Sequence, residues 1–274
     1  MIDLYSKINE LQRLGQDAVL VTVTEKEGNG PADVGKKMLV DEKGTSFGTV
    51  GGGSIELYAI KRARQAFIER KSFSEKYVLE DKEVKLLDEE VQLNMACGGK
   101  ATLFYEFIGP KQYIYIFGGG HCGAALARSL KPLGFHVTII DSRKEVLDSL
   151  DDSANSKVLS PFADYIEQNG LRERSYVVVC TPSHINDYDV LDKILEKKIK
   201  LDFFGMLCSK KKVSEYLDKA RQKFGENLNL ENFYAPIGLN IGGPSPEEIA
   251  ISITAEILSI YYQKDKINAH LRDK

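Results

Sequence analysis

A glycine-rich turn between two apolar segments constrains the fold of this chain more than any other feature. The apolar run at residues 113–117 has the character of a buried parallel strand. Residues 124–133 predict a helix, and residues 136–140 predict a second buried strand that ends at Asp141. The glycines between the first strand and the helix have the spacing G-x-G-x-x-G and are Gly118, Gly120 and Gly123. This pattern predicts one half of a Rossmann-type fold, in which a parallel sheet binds a dinucleotide.

Each residue of this motif has a physical role in that prediction. Gly118 allows a tight turn, Gly120 lets the backbone approach a pyrophosphate, and Gly123 lets helix and strand pack closely. The N-terminus of the helix offers unpaired N–H groups and a partial positive charge to the phosphates. Asp141 lies about 20 residues beyond the glycines, where an acidic residue binds the ribose of a dinucleotide. The alternative is a glycine-rich strand-to-helix turn that binds no ligand.

The composition excludes several classes of protein. The chain has 274 residues and a formal net charge of -3, so its electrostatics do not favour nucleic acid or an anionic membrane. No apolar run reaches the length of a membrane helix, and residues 1–14 lack the apolar core of a signal peptide. We therefore expect a cytoplasmic protein with no membrane or nucleic-acid partner, whose 4 cysteines are thiols.

The order of the predicted elements indicates two domains. Before Gly109-Pro110, helices mix with short strands and a hairpin, whereas beyond it strands and helices alternate. Ser245 opens a capping box for a long C-terminal helix, which is apolar on more than one face and therefore packs in the interior or in a dimer interface. The predicted fold is α/β: an α+β domain at residues 1–109, then a Rossmann-like doubly wound parallel sheet with the C-terminal helix at residues 110–274.

Two glycine-rich segments in the first domain are candidate cofactor contacts. Three consecutive glycines expose backbone N–H groups to an anion or cofactor, and the serine after them is the predicted N-cap of a helix. In the second segment, glycines leave a thiol accessible and a following lysine lowers its pKa. The alternatives are a tight strand-to-helix turn and an incidental cysteine. The residues concerned are Gly51, Gly52, Gly53 and Ser54 in the first segment, and Cys97, Gly98 and Gly99 in the second.

A second group of candidates lies at the predicted carboxyl edge of the parallel sheet, where doubly wound folds bind ligands. Its thiols and imidazoles suit a soft metal or sulfur transfer, and a helix N-terminus favours a thiolate; the alternative is cysteines that fill the core. The histidines are also the candidate acid–base residues of an oxidoreductase. A basic run at this edge suits either a phosphate or a solvated helix face. These residues are His121, Cys122, Cys180, His184 and Cys208, with Ser209 and Lys210 opening the basic run.

Five motifs, in order along nearly the whole chain, resemble those of the XdhC/CoxI family. Because all five match in order, the resemblance is far more specific than the glycine fingerprint alone. The motifs are Gly48-Thr-Val-Gly-Gly-Gly-Ser-Ile-Glu56, Met95-Ala-Cys-Gly-Gly99, Phe117-Gly-Gly-Gly-His-Cys-Gly123, Gly205-Met-Leu-Cys-Ser-Lys-Lys211, and Ala235-Pro-Ile-Gly-Leu-Asn-Ile-Gly242 with Thr254-Ala-Glu-Ile257.

The resemblance implies an accessory protein more than a catalyst. Members of the family bind molybdenum cofactor, protect it during sulfuration by a cysteine desulfurase, and deliver it to xanthine dehydrogenase or a related molybdenum hydroxylase. By resemblance, Cys97 contacts or protects the molybdenum, and the glycines from Gly51 to Ser54 hold the cofactor phosphate or pterin. The second domain would bind NAD(P) or a related nucleotide, and the protein would be a homodimer.

The chain departs from the family pattern in several places, and two other functions stay open. Ala32 stands where the family has an arginine, Ser54 replaces a cysteine, Pro182 replaces a histidine, and Cys208 replaces a glycine. These changes leave the fold inference intact and bear on which cofactor is handled. The first alternative function is an NAD(P)-dependent oxidoreductase, for which Arg143 is placed to admit a 2′-phosphate. The second is a nucleotide-sensing regulatory subunit.

Overall fold

The computed structural model describes residues 3–30, 33–82, 86–87, 90–95, 98–226, 228, 230 and 232–264. The chain divides into two units, Met1–Pro110 and Lys111–Lys274. Among the described residues, no helix is both long and apolar enough to cross a membrane.

The first unit is built on a mixed sheet. Its elements are α1 (Leu4–Arg13), β1 (Ala18–Glu27), β2 (Lys37–Asp41), β3 (Ser46–Gly48), α2 (Ser54–Glu69), β4 (Phe73–Leu79), β5 (Glu90–Leu93) and β6 (Lys100–Ile108). Within the described residues the sheet has six strands in the order β3-β2-β1-β6-β4-β5. Neighbouring strands are antiparallel except β4 and β5, which are parallel.

Residue alternation along β1 gives this sheet two packed faces, because successive side chains of a strand point to opposite sides. On one face Ala18 and Leu20 pack with Ile8 and Leu11 of α1. On the other, the valines of β1 pack with a stripe of mostly small residues on α2, which lets the helix approach the sheet closely. The valines are Val19, Val21 and Val23, and the stripe is Ile55, Ala59, Ala63 and Ala66.

Helix α2 begins one residue earlier than the sequence predicts, because its N-cap is Gly53 and not Ser54. Gly53 has φ +62°, a conformation that favours glycine. The third helical residue, Glu56, folds back so that its Oε1 accepts the N–H groups of Val50 at 3.1 Å and Gly52 at 2.9 Å. A glutamate at this helical position is a common partner for the orphan amides at a helix start. The prediction of Ser54 as N-cap is therefore wrong.

A buried ion pair holds the end of α2 to the end of the first unit. Asp17 is 2% exposed, and its carboxylate accepts two hydrogen bonds from the Arg70 guanidinium, at 2.6 and 3.2 Å. The same guanidinium donates to the Pro110 carbonyl at 2.6 Å and lies 4.8 Å from the centre of the Phe107 ring. Arg70 therefore neutralises a buried charge and ties the last residues of the unit to its core.

The second unit is a parallel sheet with helices between its strands. Its elements are β7 (Tyr113–Phe117), α3 (His121–Leu130), β8 (His136–Asp141), α4 (Lys144–Asp148), β9 (Ser156–Leu159), α5 (Phe162–Asn169), β10 (Tyr176–Val179), α6 (His184–Glu196), β11 (Phe203–Met206), α7 (Lys210–Phe224), β12 (Phe233–Tyr234) and α8 (Pro246–Tyr261). Within the described residues, six strands pair in parallel in the order β12-β11-β10-β7-β8-β9. This order matches the Rossmann order 3-2-1-4-5-6, whose direction reverses between β7 and β10.

Both faces of this sheet are covered. Ile114 and Ile116 of β7 face the cluster that contains buried residues of α3 and α8, while Phe117 faces the cluster formed with α5, α6 and α7. Helix α8 packs in the interior of the unit through residues such as Ile253 and Ile257, although Ile251 on its outer side is 56% exposed. The two-faced packing explains why β7, β10 and β11 are apolar throughout.

The predicted fold class is confirmed, and the differences concern the ends of some elements and the presence of short ones. The capping box at Ser245 is present. Helix α3 begins at His121 instead of residue 124, because Gly120 is its N-cap. The two-residue strand β12 and the short strand β5 carry too few residues to show a period, and the sequence does not predict them.

We expect Arg70→Gln to lower the free energy of unfolding of the first unit by about 3 kcal/mol, because Asp17 would stay buried without its charged partner. Urea denaturation of the full chain measures this change. The matched control is Lys76→Gln, whose ion pair with Glu27 has side chains 35% and 62% exposed and should therefore contribute far less to the free energy of unfolding. Equal losses in the two variants would contradict the role given to Arg70.

Candidate nucleotide-binding site

The candidate site lies at the carboxyl edge of the parallel sheet, beside β7. The strands on either side of β7 are β8 and β10. The helices that follow β7 and β10 pack on opposite faces of the sheet, since α3 belongs to one buried cluster and α6 to the other. This arrangement opens a crevice beyond the strand ends, which is where doubly wound folds bind their ligands.

Two glycines of the fingerprint are required by packing. Gly118 has φ +115°, and a side chain there would overlap the carbonyl of Cys180 at the end of β10. A side chain on Gly123 would overlap the carbonyl of Gly118 itself, and would meet the Ile116 side chain at 3.4 Å. The turn therefore packs closely between the end of β10 and the start of α3. Steric overlap with these backbone carbonyls restricts both positions to glycine, whether or not a ligand binds.

Gly120 differs from the other two glycines. Its φ of -64° is accessible to any residue, and a side chain built on it would meet nothing within 4 Å. It is the N-cap of α3, so the N–H groups of the first helical turn lie beside the open space. The space and the amides together suit a pyrophosphate.

Asp141 lies at the end of β8 and its carboxylate is fully engaged. The residue is 0% exposed. Its Oδ2 accepts the N–H of Gly119 at 2.8 Å and Nη2 of Arg143 at 2.8 Å, and its Oδ1 accepts the backbone N–H and Nε of Arg143 at 3.0 and 2.9 Å. Burial raises the pKa of Asp141, but these hydrogen bonds outweigh it and the pKa lies below its usual value. The carboxylate is therefore ionised and holds the glycine turn in place.

The two histidines begin the helices that follow the neighbouring strands β7 and β10. His121 is the first residue of α3 and His184 the first residue of α6, and both are exposed. The His184 ring lies 5.8 Å from the ring of Tyr188. Both imidazoles therefore face solvent next to the crevice, on helices that leave from β7 and β10.

The thiols at this edge are protonated. Burial raises the pKa of Cys180 far above its usual value, raises that of Cys208 to about 11, and also raises that of Cys122. The Cys180 thiol donates to the Gly118 carbonyl at 3.4 Å. In the described part of the chain, no group of three or more His, Cys, Asp or Glu side chains could hold a metal ion. The expected thiolate of Cys122 and the suggested metal cluster are therefore not supported there.

A second buried carboxylate, which the sequence analysis missed, shapes the turn after β10. Asp187 is 5% exposed and accepts the N–H and the hydroxyl of Thr181 at 3.0 and 2.6 Å. Burial raises the pKa of Asp187 despite these bonds. No sequence signal distinguishes this aspartate from the exposed acids of the same helix.

The basic run after β11 begins a helix. Ser209 is the N-cap of α7, and its hydroxyl accepts the N–H of Lys212 at 3.4 Å. Lys210 is the first helical residue and is exposed. The predicted phosphate contact of this pair stays a prediction.

In the first unit, the chain's own carboxylate occupies the triple-glycine loop. Besides the amides of Val50 and Gly52, Glu56 accepts a hydrogen bond from the Thr49 hydroxyl. Burial raises the pKa of Glu56, but these bonds outweigh it and the pKa lies below its usual value. Among the glycine amides expected to bind a cofactor anion, that of Gly52 therefore already has an anionic partner, and that of Gly51 donates to the Thr49 hydroxyl at 3.2 Å. The glutamate three residues after Gly53 is the sequence signal that would have identified it.

The two glycine segments of the first unit lie near each other. The Met95 methyl group is 4.0 Å from the position of a side-chain carbon on Gly53. Gly99, at φ +108°, packs against the Glu27 carbonyl and against Gly28, and Gly98 lies close to the Glu80 side chain. Cys97 itself is outside the described residues. The structure thus places Met95, two residues before Cys97, beside the triple-glycine loop, and it does not describe the cysteine itself.

Each of the two units matches the model of a known protein family. The model of the XdhC Rossmann domain matches residues 114–257, which is more than half of the chain. The model of the XdhC and CoxI family matches residues 11–77.

Two curated proteins are similar in sequence. Uncharacterized protein YqeB of Escherichia coli (strain K12) is 28% identical over 267 residues, covering 94% of this chain and 46% of that protein. A probable xanthine dehydrogenase subunit of Bacillus subtilis (strain 168) is 26% identical over 158 residues, covering 57% of this chain and 45% of that protein. The chain therefore spans a little under half the length of these relatives.

A solved structure extends the likeness over both units. A protein of Bacillus halodurans, described as a xanthine dehydrogenase, aligns over 98% of each chain with a TM-score of 0.52 and 19% identity. At this identity the likeness concerns the fold alone. Because the family models match both units in the expected order, the chain belongs to the XdhC and CoxI family.

Proposed function

We propose that this protein is an accessory factor for a xanthine dehydrogenase-type molybdenum hydroxylase, and that its second unit binds a nucleotide. Membership of the XdhC and CoxI family and the similarity to a probable xanthine dehydrogenase subunit support the accessory role. In this proposal the protein acts in the cytoplasm as a homodimer. It receives molybdenum cofactor, which a cysteine desulfurase sulfurates, and passes it to the hydroxylase.

The observation that carries the nucleotide part is the open space at Gly120. The first amides of α3 border this space, and the reversal of strand order between β7 and β10 places it in the crevice. A pyrophosphate fits these residues, because its charge would meet N–H donors and no side chain stands in the way. NAD(P) and related nucleotides carry such a group.

The cofactor part is proposed for the first unit and rests on family membership. The amides of Val50 and Gly52 do not fit a cofactor phosphate as the loop stands, since Glu56 occupies them. We therefore propose that the segment around Cys97, Gly98 and Gly99 makes the main contact with the cofactor. Within the segment from Gly51 to Ser54, contact of the phosphate with the Gly52 amide would require Glu56 to move.

The nucleotide site is tested by two glycine variants. We expect Gly120→Val to lower the affinity for NAD+ and NADP+ at least about tenfold, because the new side chain fills the space for the pyrophosphate. Its melting temperature should match that of the wild type, since nothing lies within 4 Å of that side-chain position. Isothermal titration calorimetry and thermal melting of the full chain measure both quantities.

The matched control is Gly123→Val, which should lower both the melting temperature and the affinity, because its side chain would overlap the Gly118 carbonyl. Unchanged nucleotide affinity in Gly120→Val would show that the site is elsewhere. Absence of binding by the wild type would reject the nucleotide proposal.

The cofactor proposal is tested at Cys97. We expect Cys97→Ser, purified from a molybdenum-replete host, to lose molybdenum and pterin, because the thiol is the proposed contact. Metal analysis and pterin fluorescence measure retention, and the wild type, but not Cys97→Ser, should raise the activity of a cofactor-free hydroxylase. Cys208→Ser is the control, since its thiol lies in the other unit. Equal retention by Cys97→Ser and the wild type would reject the assignment.

An oxidoreductase is a second candidate, favoured by the exposure of His121 beside Gly120. Under the accessory proposal, we expect no sustained oxidation of NADH or NADPH with a panel of carbonyl acceptors. Steady-state turnover that His121→Ala or His184→Ala abolishes would replace the accessory role with catalysis.

A further inference from the structure

The surroundings of Asp141 bear on which nucleotide the second unit accepts. In NAD-specific sites of this fold, a carboxylate at the end of the second strand binds the ribose hydroxyls, and its negative charge disfavours a 2′-phosphate there. Asp141 occupies that position at the end of β8. Whether it can perform this role depends on its remaining hydrogen-bonding capacity.

Asp141 has no such capacity left. A carboxylate offers about four lone-pair positions. Asp141 fills them with the amides of Gly119 and Arg143 and with Nε and Nη2 of the Arg143 guanidinium, at distances from 2.8 to 3.0 Å. Because the residue is also 0% exposed, a ribose hydroxyl has no access to it without displacing a donor.

Arg143 brings a positive charge to the same strand end. Its side chain is 37% exposed, and the bidentate contact with Asp141 uses two of the five N–H donors that a guanidinium carries. The remaining donors are available to an anion. The hydroxyl of the exposed Ser142 stands next to them along the chain. The exposed Glu145 also lies near this guanidinium, but a charge in solvent is screened and opposes an incoming anion only weakly.

We propose that the second unit selects a nucleotide that carries a 2′-phosphate on its adenosine ribose, as NADP+ does, and that Arg143 is the residue that selects it. The proposal rests on the nucleotide site proposed at Gly120. The guanidinium neutralises Asp141, which removes the repulsion that excludes a 2′-phosphate, and its outer N–H groups then bind the phosphate oxygens. The Asp141 contact holds the guanidinium in place, so little side-chain freedom is lost on binding.

The test compares NADP+ with NAD+ by isothermal titration calorimetry on the full chain. We expect the wild type to bind NADP+ at least about tenfold more tightly than NAD+, and Arg143→Gln to remove this preference. The loss should come from weaker NADP+ binding, because NAD+ has no 2′-phosphate for Arg143 to bind. The control is Arg174→Gln, an arginine that pairs with Asp202 just before the amino end of β10, and it should leave both affinities unchanged.

A second variant is needed because Arg143→Gln removes a partner of Asp141 and could disturb the glycine turn. In this proposal the hydroxyl of Ser142, which is adjacent to Arg143 in the chain, is a second donor to the 2′-phosphate. Ser142→Ala leaves the Asp141 side-chain contacts intact and should therefore weaken NADP+ binding several-fold while NAD+ binding stays the same. Equal affinities for the two nucleotides in the wild type would overturn the selectivity, although the nucleotide site at Gly120 would stand. Binding of neither nucleotide would reject the nucleotide site, and the selectivity with it.

Discussion

The buried carboxylate of Asp141 is the interaction on which the second unit's crevice depends. It joins the end of β8, the amide of Gly119 inside the glycine turn, and the guanidinium of Arg143. An ionised carboxylate survives without solvent only when charged and hydrogen-bonding partners compensate for its desolvation. Removing either partner type would leave a charge in the interior, at a cost of several kcal/mol. The shape of the turn and the position of the guanidinium therefore depend on the same carboxylate.

The same physical device operates in the first unit. There Glu56 returns from the first turn of α2 to the amides of the preceding glycine loop. The two cases differ in what remains for a ligand. Asp141 binds the amide of Gly119 and leaves the amides at the start of α3 beside an open space, whereas Glu56 binds the amide of Gly52, which is one of those that a bound anion would need. A glycine-rich loop before a helix therefore indicates a place for negative charge without indicating whether that charge comes from a ligand or from the chain.

The sequence predicts features that local rules determine, but not most of the contacts that form only in the folded chain. The apolar runs that become β7 and β8, the glycine spacing and the capping box of α8 follow from local rules, and the structure has them as predicted. Strand β12 has two residues and owes its existence to pairing with β11, which no local pattern encodes. The partners of Asp141 were unpredictable for a similar reason, since they depend on where the side chains of a folded turn point. Glu56 was within reach, because its position three residues after Gly53 is a known capping pattern.

The packing of the glycine turn has a consequence for how this sequence can change over evolutionary time. Gly118 and Gly123 are held by steric overlap inside the fold, so selection for stability alone would preserve them. Gly120 faces open space in an ordinary backbone conformation, and the fold would tolerate a side chain there. Under the proposed nucleotide binding, a descendant that no longer bound the nucleotide would keep Gly118 and Gly123 but could accept other residues at position 120. Among related sequences, a residue other than glycine at this position would then indicate that the proposed site has been lost.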